Sequence, residues 1–368
     1  MRTLYVTADR INETSGGGVV TFNEAEALKS LGNCDVYGRE QLECEGQEPW
    51  KWDIKTLDGI WKSLELAACR VSGTWIGEGL SEYPKLAHFY AGTFSETVAV
   101  LKNHGCKITY TAAAHDVDVS RREHEVYGIP YNYPHLNDPE LWKRYLQGYK
   151  DADVLICPST HSANVMRRFG CTNKIEIIPH GVNLPVEVKP LPSRFVCGYL
   201  GSCGAPDKGV IYLLQAWKKL AYKDGSVLVL AGRDSTSPFV RGLVERYGGG
   251  SIVLAGWQKD VGEFYNSLSL YIQPSSSEGF GIEVLEAQAH GRPVICSDGA
   301  GAADVVTPEC GYAFTPPQWW VLSAIIDEFK TGKESLEKFG IAGREEAAKY
   351  TWDIIRSRYV ALWKELLQ

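Results

Sequence analysis

The chain has 368 residues, 44% of them hydrophobic and 23% charged, and this ordinary globular composition excludes a mainly disordered protein. A net charge of −7 argues against nucleic acid as a partner, because such binding depends on a surplus of basic residues. No apolar run reaches the roughly 20 residues of a membrane-spanning helix, so peripheral contact with a membrane surface is the alternative that stays open.

The first part of the chain alternates short apolar runs with amphipathic helical segments. Helices are predicted at Phe22 to Leu31 and at Leu141 to Tyr149. Strands are predicted at Leu4 to Ala8, Leu86 to Tyr90, Ile108 to Ala112, Val154 to Cys157 and Ile175 to Ile178. This alternation is typical of a parallel sheet with helices on both faces. The stretch 39–83 is rich in Trp, Gly and Glu, and no element is assigned to it.

A proline-rich segment from Leu184 to Arg194 interrupts the pattern, because three prolines in eleven residues favour an extended linker. A second alternating series follows it. Its strands are predicted at Phe195 to Leu200, Val227 to Ala231, Ile252 to Leu254, Leu270 to Gln273 and Pro293 to Cys296. Its helices are predicted at Ile211 to Leu220, Glu283 to His290 and Thr351 to Gln368.

These two series predict an α/β protein with two doubly wound, Rossmann-like parallel-sheet domains that face each other across a cleft. The predicted domains are residues 1–185 and 195–350, with a terminal helix over 351–368. Ligands of such folds bind beyond the carboxyl ends of the strands. The cleft is therefore the place where a site is expected.

The stretch from Ser275 to Asp298 carries the clearest chemistry. A small-residue loop follows the strand that ends at Pro274, and a helix begins near Ile282. The unpaired N–H groups at a helix start attract anions, and glycines let the backbone approach a ligand closely. A diphosphate is the expected ligand, bound by Gly279, Phe280, Gly281 and Ile282.

Two carboxylates frame this loop, Glu278 within it and Glu286 in the first turns of the helix. A diphosphate repels a carboxylate, so each is expected to bind sugar hydroxyls instead. We predict that Glu286 binds the ribose of a nucleotide and that Glu278 orients a second sugar. For an isolated pair of glutamates, solvated charges in a first helical turn are the competing interpretation.

Glu278 and Glu286, with seven residues between them, match the Glu-x7-Glu motif of retaining GT-B glycosyltransferases. The longer string Pro-Ser-x-x-Glu-Gly-Phe-Gly-x-x-x-Leu-Glu-Ala-x-Ala-x-Gly-x-Pro-Val-Ile, which ends here at Ile295, resembles glycosyltransferase family four, the group 1 glycosyl transferases. The resemblance implies a GT-B fold and transfer of a sugar from a nucleoside diphosphate sugar, with retention of configuration at the anomeric carbon.

Other stretches carry the same resemblance. Lys208 is similar to the family's lysine that contacts the donor diphosphate, and His115 resembles a cleft histidine near the donor sugar. The glycines at 16 to 18 resemble a glycine loop that meets donor phosphate or acceptor, which adds Gly17 and Gly18 to the donor-binding candidates. The segment 179–183 resembles the end of the family's first domain. The helix from Trp352 to Leu366 resembles one that crosses back onto that domain.

The chain departs from the family pattern at the diphosphate. The family places an arginine shortly before its lysine, whereas here a stretch containing Ser202 leads to Lys208 without one. Ser202 stays a donor-binding candidate, and Arg233 is the candidate for the missing charge. His180 and Asn183 replace Asn and Asp, and an aspartate, Asp304, stands where the family often has a glutamate.

Several weaker patterns were weighed against simpler interpretations. Asp116-Val117-Asp118 and Asp151-Ala152-Asp153 fit the Asp-x-Asp pattern of metal-dependent transferases. Because a lysine and a helix N-terminus can neutralise a diphosphate, no metal site is predicted. Arg121, Arg122 and His124 are placed in a loop, as acceptor contacts or as solvated charge. The pair Trp319-Trp320 is either a sugar-stacking platform or a helix packing stripe. The ten scattered cysteines predict buried free thiols in a reducing cytoplasm.

The resemblance thus implies a retaining hexosyltransferase that needs no cofactor, and the scattered cysteines predict a cytoplasmic location. Its donor is expected to be a nucleoside diphosphate sugar, a UDP- or GDP-sugar first of all. Its acceptor is expected to be a hydroxyl of a saccharide, a lipid-linked glycan or a small molecule. Two alternatives stay open: a GT-B enzyme of other chemistry, such as an epimerase or phosphorylase, and a sugar-nucleotide-binding protein without catalysis. Neither the acceptor nor the oligomeric state follows from the sequence.

Overall fold

The computed structural model describes residues 1–7, 11, 16–37, 83–90, 95–114, 116–131, 139–220, 225–249 and 251–368. These residues form two six-stranded parallel sheets with helices packed against them. The predicted fold class, two Rossmann-like sheets in a GT-B arrangement, is confirmed.

The first sheet has the strand order β2-β1-β3-β4-β5-β6. Its strands are β1 (Arg2–Thr7), β2 (Asn33–Tyr37), β3 (Leu86–Tyr90), β4 (Lys107–Thr111), β5 (Val154–Cys157) and β6 (Lys174–Ile177). The helices of this half are α1 (Gly16–Lys29), α2 (Ser95–Asn103), α3 (Val117–Tyr127), α4 (Pro139–Asp151) and α5 (Thr160–Arg168). The bounds predicted for β3 and β5 match the structure. Strand β2 was not predicted, because its sequence, Asn-Cys-Asp-Val-Tyr, has no continuous apolar run.

The second sheet has the order β12-β11-β10-β7-β8-β9. Its strands are β7 (Val196–Leu200), β8 (Val227–Ala231), β9 (Ile252–Gly256), β10 (Leu270–Gln273), β11 (Val294–Ser297) and β12 (Gly311–Phe314). The helices that follow are α6 (Val210–Leu220), α7 (Pro238–Tyr247), α8 (Val261–Asn266), α9 (Ile282–Ala289), α10 (Trp319–Thr331), α11 (Lys333–Ala347) and α12 (Trp352–Leu366). The predicted bounds of β8 and β10 match those in the structure.

The strand order reverses once in each sheet, between β1 and β3 and between β7 and β10. The loops that leave neighbouring strands at such a point part to opposite faces of the sheet, which opens a crevice at their carboxyl ends. In the second sheet, the loop after β7 begins at Gly201 and the loop after β10 begins at Pro274. These two loops border the candidate site.

The terminal helix α12 packs on the first sheet through a buried polar network. The hydroxyl of Tyr359 donates to Glu24 (2.8 Å), and the indole N–H of Trp363 donates to the hydroxyl of Thr109 (3.0 Å). All four side chains are buried. The last helix therefore packs in the core of the first sheet, although in the sequence the residues of the second sheet come between that sheet and the helix.

Two loop predictions were wrong. Helix α1 begins at Gly16, six residues before the predicted start, so the glycines at 16 to 18 form its first turn and not a loop. Helix α3 replaces the loop expected around Arg121, Arg122 and His124. Its start is set by Asp116, whose carboxylate accepts the N–H groups of Asp118 and Val119, and it ends at Gly128 in the left-handed conformation (φ 63°).

The described cysteines are free thiols, and all of them except Cys34 are buried. Cys44 and Cys69 lie outside the described residues. Within the described ranges, no helix combines the length and the apolar character needed to cross a bilayer.

Candidate functional site

The loop between β10 and α9 ends in an uncapped helix start. Gly281 precedes the helix with φ 92°, a left-handed conformation that favours glycine, and no side chain of the described residues caps the first turn. The first N–H groups of a helix have no partner within it, and the helix dipole makes this end positive. The start of α9 can therefore bind an anion.

Neighbouring backbone holds this loop in place. The N–H of Glu278 donates to the carbonyl of Gly299 (2.9 Å), and the carbonyl of Glu278 accepts from Gly301 (3.0 Å). The carbonyl of Phe280 accepts from Ala302 (2.7 Å). The backbone of Glu278 is thus fixed by the segment after β11, which limits where its side chain can reach.

Lys208 lies at the end of a short 3₁₀ turn, Pro206–Lys208, and forms an ion pair with Glu278. The turn is joined to the loop because Ser276 donates its N–H to the carbonyl of Asp207 (2.7 Å). Burial alone would lower the pKa of Lys208, but the Glu278 carboxylate outweighs it and the pKa is raised. The ammonium group is therefore charged and lies beside the start of α9.

Glu286 lies one turn into α9 and accepts a hydrogen bond from the hydroxyl of Tyr265 on α8 (2.8 Å). Burial raises the pKa of Glu286, and the Tyr265 hydroxyl partly offsets this effect. Tyr265 itself is fully buried. The Tyr265 hydroxyl thus orients the Glu286 carboxylate, and the other lone pairs of this carboxylate can accept hydrogen bonds from hydroxyl groups of a ligand.

A third carboxyl, Glu283, was not among the predicted site residues. Burial raises its pKa to about 8, and the charges of Glu278 and Glu286 add to this shift. The spacing of three residues from Glu286, close to one helical turn, could have identified it, because such residues share a face of the helix. The sequence analysis did not include it because the motif is defined by the other two glutamates.

Two cavities meet at the start of α9. The larger, about 810 Å³, is lined by Trp257, Tyr265 and Glu286, among others. The smaller, about 370 Å³, is lined by His180, Lys208 and Glu278, among others. Both are bordered by the same five residues: Leu200, Gly201, Ser202, Ile282 and Glu283. A long ligand can therefore run from one cavity to the other across the first turn of α9.

Arg233 follows β8 and borders the larger cavity, as Ser202 does after β7. The guanidinium of Arg233 lies 5.2 Å from the ring centre of Trp257, a cation–π distance, and Trp257 is 58% exposed. Arg233 does not border the smaller cavity where Lys208 lies. This cation and its aromatic neighbour together form the far wall of the larger cavity.

The first sheet contributes the opposite wall of the cleft. Val19 borders the larger cavity and Val20 the smaller one, directly after Gly18 in the first turn of α1. His180, after β6, borders the smaller cavity and packs edge-on against Phe280, with ring centres 5.1 Å apart. Burial lowers the pKa of His180 to about 4, so its imidazole is neutral near pH 7.

Hydrogen bonds also join the two halves at the loop itself. The hydroxyl of Ser159, which caps α5, donates to the carbonyl of Gly279 (2.7 Å). The N–H of Thr160 donates to Asp304 (2.6 Å), the aspartate that stands where the family often has glutamate. The half of the chain that forms the first sheet thus contacts the loop that carries Glu278, and Asp304 supports that contact.

Two predicted site residues, His115 and Gly17, stay predictions. His115 lies outside the described residues, and Gly17 lies in the first turn of α1. Asp116 caps α3 and pairs with Arg168, whereas Asp153 accepts the N–H of Ile108 (2.7 Å). In each Asp-x-Asp triplet, one aspartate therefore has a structural partner in the described part of the chain. Trp319 packs against the core of the second sheet while Trp320 is exposed, so this pair starts α10 and does not line the cleft.

The family models and curated relatives that match this chain are those of glycosyltransferases. Residues 196–346 match the family model described as glycosyl transferases group 1, and residues 84–185 match that of glycosyltransferase family 4. A capsular polysaccharide biosynthesis glycosyltransferase of Staphylococcus aureus is 28% identical over 186 residues, 48% of this chain and 49% of the relative. An α-(1→4)-mannosyltransferase of Mycolicibacterium hassiacum is 24% identical over 58% of this chain and 54% of its own. The chain thus spans about half the length of these two relatives.

Solved structures resemble the whole chain. The sucrose-phosphate synthase of Thermosynechococcus elongatus has a TM-score of 0.76 at 18% identity and covers 100% of this chain and 99% of its own. The Anabaena protein HepE, solved with UDP, has a TM-score of 0.68 at 15% identity and covers 99% of this chain and 100% of its own. At this level of identity, the likeness establishes the fold.

Proposed function

Because the chain belongs to the group 1 glycosyltransferases, we propose that it transfers a hexose from a nucleoside diphosphate sugar to an acceptor hydroxyl, with retention of configuration at the anomeric carbon. One observation carries the proposal: two cavities meet at the positive end of α9, beside the charged Lys208. In a nucleoside diphosphate sugar, the diphosphate lies between the nucleoside and the transferred sugar. Such a ligand can therefore place the nucleoside in one cavity, the diphosphate at the start of α9 and the sugar in the other cavity.

In the proposed complex, the nucleoside occupies the larger cavity and the diphosphate crosses the first turn of α9. Glu286, oriented by Tyr265, accepts hydrogen bonds from the ribose hydroxyls. Lys208 and the N–H groups after Gly281 bind the diphosphate. The transferred sugar occupies the smaller cavity beside Glu278 and His180.

The same groups supply the chemistry that we propose. Breaking the bond to the anomeric carbon moves negative charge onto the diphosphate, and a positive helix end and an ammonium group stabilise that charge. Attack from the same face lets the leaving phosphate accept the proton of the acceptor hydroxyl. No separate protein base is then required. Glu278, whose backbone is fixed on both sides, orients the sugar during the transfer.

UDP is the first donor nucleotide to test. The structural neighbour HepE was solved with UDP and with UDP-glucose, which supports a uridine nucleotide here without excluding a guanine nucleotide. The acceptor site is expected on the first-domain side of the smaller cavity, where Val20 and Ala113 lie.

A thermal-shift panel of UDP-, GDP-, ADP- and dTDP-sugars tests the donor. A ligand that binds only the native state raises the midpoint of unfolding, so one base is expected to stand out. NMR of the product then reports whether the anomeric configuration is retained. Glu286→Ala is expected to abolish the shift, whereas Glu245→Ala, at an exposed position of α7, is expected to keep it. An equal shift in both variants would place the nucleotide elsewhere and reject the proposal.

A further inference from the structure

Glu283 is the carboxyl that the donor site, as proposed above, leaves without a role. It lies in the first turn of α9 and borders both cavities. Glu283 is therefore one of the five described residues that a ligand spanning both cavities would lie beside. Ile282, its neighbour in the same turn, is the other helix residue in that position.

The three glutamates of this region have different partners. Glu278 pairs with Lys208, and Glu286 accepts the hydroxyl of Tyr265. Among the residues that the structure describes, no side chain donates a hydrogen bond to the Glu283 carboxyl. Glu283 is thus the one member of the group that another residue's side chain does not neutralise or bind.

The charge balance around Glu283 disfavours its ionised form. The carboxylates of Glu278 and Glu286 face it, and Lys208 is the cation that acts on it. Among the described residues, the buried phenols Tyr199, Tyr265 and Tyr271 also interact with its charge. Arg233, Lys259 and His290 border the larger cavity together with it. Among the described residues, Lys208 is the cation whose charge offsets the ionised form of Glu283, and a bound diphosphate would add negative charge beside it. A neutral carboxyl removes one of these charges and can donate a hydrogen bond.

We propose that Glu283 binds the donor diphosphate as a protonated carboxyl, through an O–H group that donates to a phosphate oxygen. This inference rests on the proposed function, because it needs a diphosphate at the start of α9. Hydrogen bonds from O–H to a charged oxygen are short and about twice as strong as those between neutral groups. The interaction adds a donor at the point where the two cavities join.

Proton uptake on binding follows from this arrangement. Burial and the neighbouring carboxylates raise the pKa of Glu283 to about 8, so the free protein is mostly protonated at pH 7.5 and mostly ionised at pH 9.5. The negative diphosphate raises the pKa further in the complex. Above pH 8, binding must therefore bring a proton with it, and affinity falls as the pH rises.

Titration calorimetry with UDP and GDP between pH 7.5 and 9.5 tests the proposal. The terminal phosphate of the probe has a pKa of about 6 and stays ionised in this range. The pKa of Lys208 is raised and that of His180 is lowered to about 4, so neither changes charge there. For the wild type, we expect the Kd to rise roughly tenfold or more over the range, with uptake of up to one proton. For Glu283→Gln, which is always neutral, we expect a much smaller rise in the Kd and much less proton uptake, because only the ring N–H of the nucleotide base begins to ionise at the top of this range.

Glu245→Gln, at an exposed position of α7, is the matched control and should follow the wild type. A Kd for the wild type that does not change with pH would overturn the proposal, and so would Glu283→Gln binding tenfold more tightly at pH 7.5, because it would mean an ionised, repelling carboxylate. Either result leaves the donor site itself intact. If neither UDP nor GDP, and in addition neither ADP nor dTDP, binds the wild type at any pH, the proposed function and this inference both fail.

Discussion

Lys208 is the residue on which the binding of a diphosphate depends most directly. Its ammonium group is paired with Glu278 in the structure, and both side chains are partly exposed to the smaller cavity. A phosphate oxygen can approach the same ammonium group without displacing the pair, because lysine has three N–H donors. The ion pair therefore positions the ammonium group and leaves N–H donors of Lys208 that a phosphate can bind.

Replacing Lys208 by alanine removes this cation and leaves the Glu278 carboxylate unpaired at the same time. Both changes disfavour an anionic ligand, so we expect UDP to bind roughly tenfold to a hundredfold more weakly, as measured by titration calorimetry. Lys219→Ala, an exposed lysine at the end of α6, should bind UDP as the wild type does. Equal affinity in both variants would contradict a role for Lys208 at the diphosphate.

His180 shows why the identity of a residue alone does not predict its protonation state. The sequence indicates only that a histidine replaces the family's asparagine. In the structure, burial lowers its pKa to about 4, and it packs against Phe280 beside the smaller cavity. Near pH 7 it can donate or accept a hydrogen bond as a neutral ring, whereas a solvated histidine would be partly charged.

Among the elements, the turn that carries Lys208 depends on one glycine. Gly209 ends the 3₁₀ turn with φ 70°, and a Cβ atom there would collide with the carbonyl oxygen of Pro274. The backbone thus passes directly against the end of β10. This close approach brings Lys208 to the loop that carries Glu278.

Gly209→Ala should therefore destabilise the protein by about 2–4 kcal/mol, through backbone strain and a steric clash. Gly242→Ala is the matched control, because Gly242 lies inside α7 and a Cβ atom there would meet no described atom within 4 Å. We expect that variant to be unchanged or stabilised by up to about 1 kcal/mol. Urea unfolding of the two variants measures the difference, and equal midpoints would contradict the packing described for Gly209.

At the scale of the whole molecule, a buried network joins the terminal helix to the first sheet. The Glu24 carboxylate accepts hydroxyls from Tyr5, Thr111 and Tyr359, and His88 lies 3.3 Å away. Burial alone would raise the pKa of Glu24, but His88 and the hydroxyls outweigh it and lower it. The group is thus ionised in the fold, and its stabilising effect is present near pH 7 and lost as the pH falls through the lowered pKa.

Tyr359→Phe removes one donor from this buried carboxylate. Because hydrogen bonds to buried charged groups contribute about 1.5–3 kcal/mol, we expect a loss of that size in the free energy of unfolding. Tyr312→Phe, which removes an exposed hydroxyl contact to Glu328, should cost less than about 0.5 kcal/mol. Comparable losses in the two variants would show that the network does not fix the terminal helix.

The sequence by itself determined the fold class and the position of the main motif. In a sequence, buried parallel strands appear as short apolar runs. For this reason, both bounds of β3, β5, β8 and β10 could be predicted correctly. The loop and glutamates of α9 were recognisable because glycines and carboxylates at a helix start have a chemical meaning before any fold is known. Strand β2 escaped prediction because its residues are mixed in polarity.

Only the tertiary structure decided which side chains act together. The pairing of Lys208 with Glu278 joins residues 70 positions apart, and the bond from Ser159 to Gly279 joins residues 120 apart. The raised pKa of Glu283 and the lowered pKa of His180 arise from burial and neighbouring charges. Spacing along a chain indicates which residues share one helix or strand, whereas burial and long-range electrostatics exist only after the two sheets have packed.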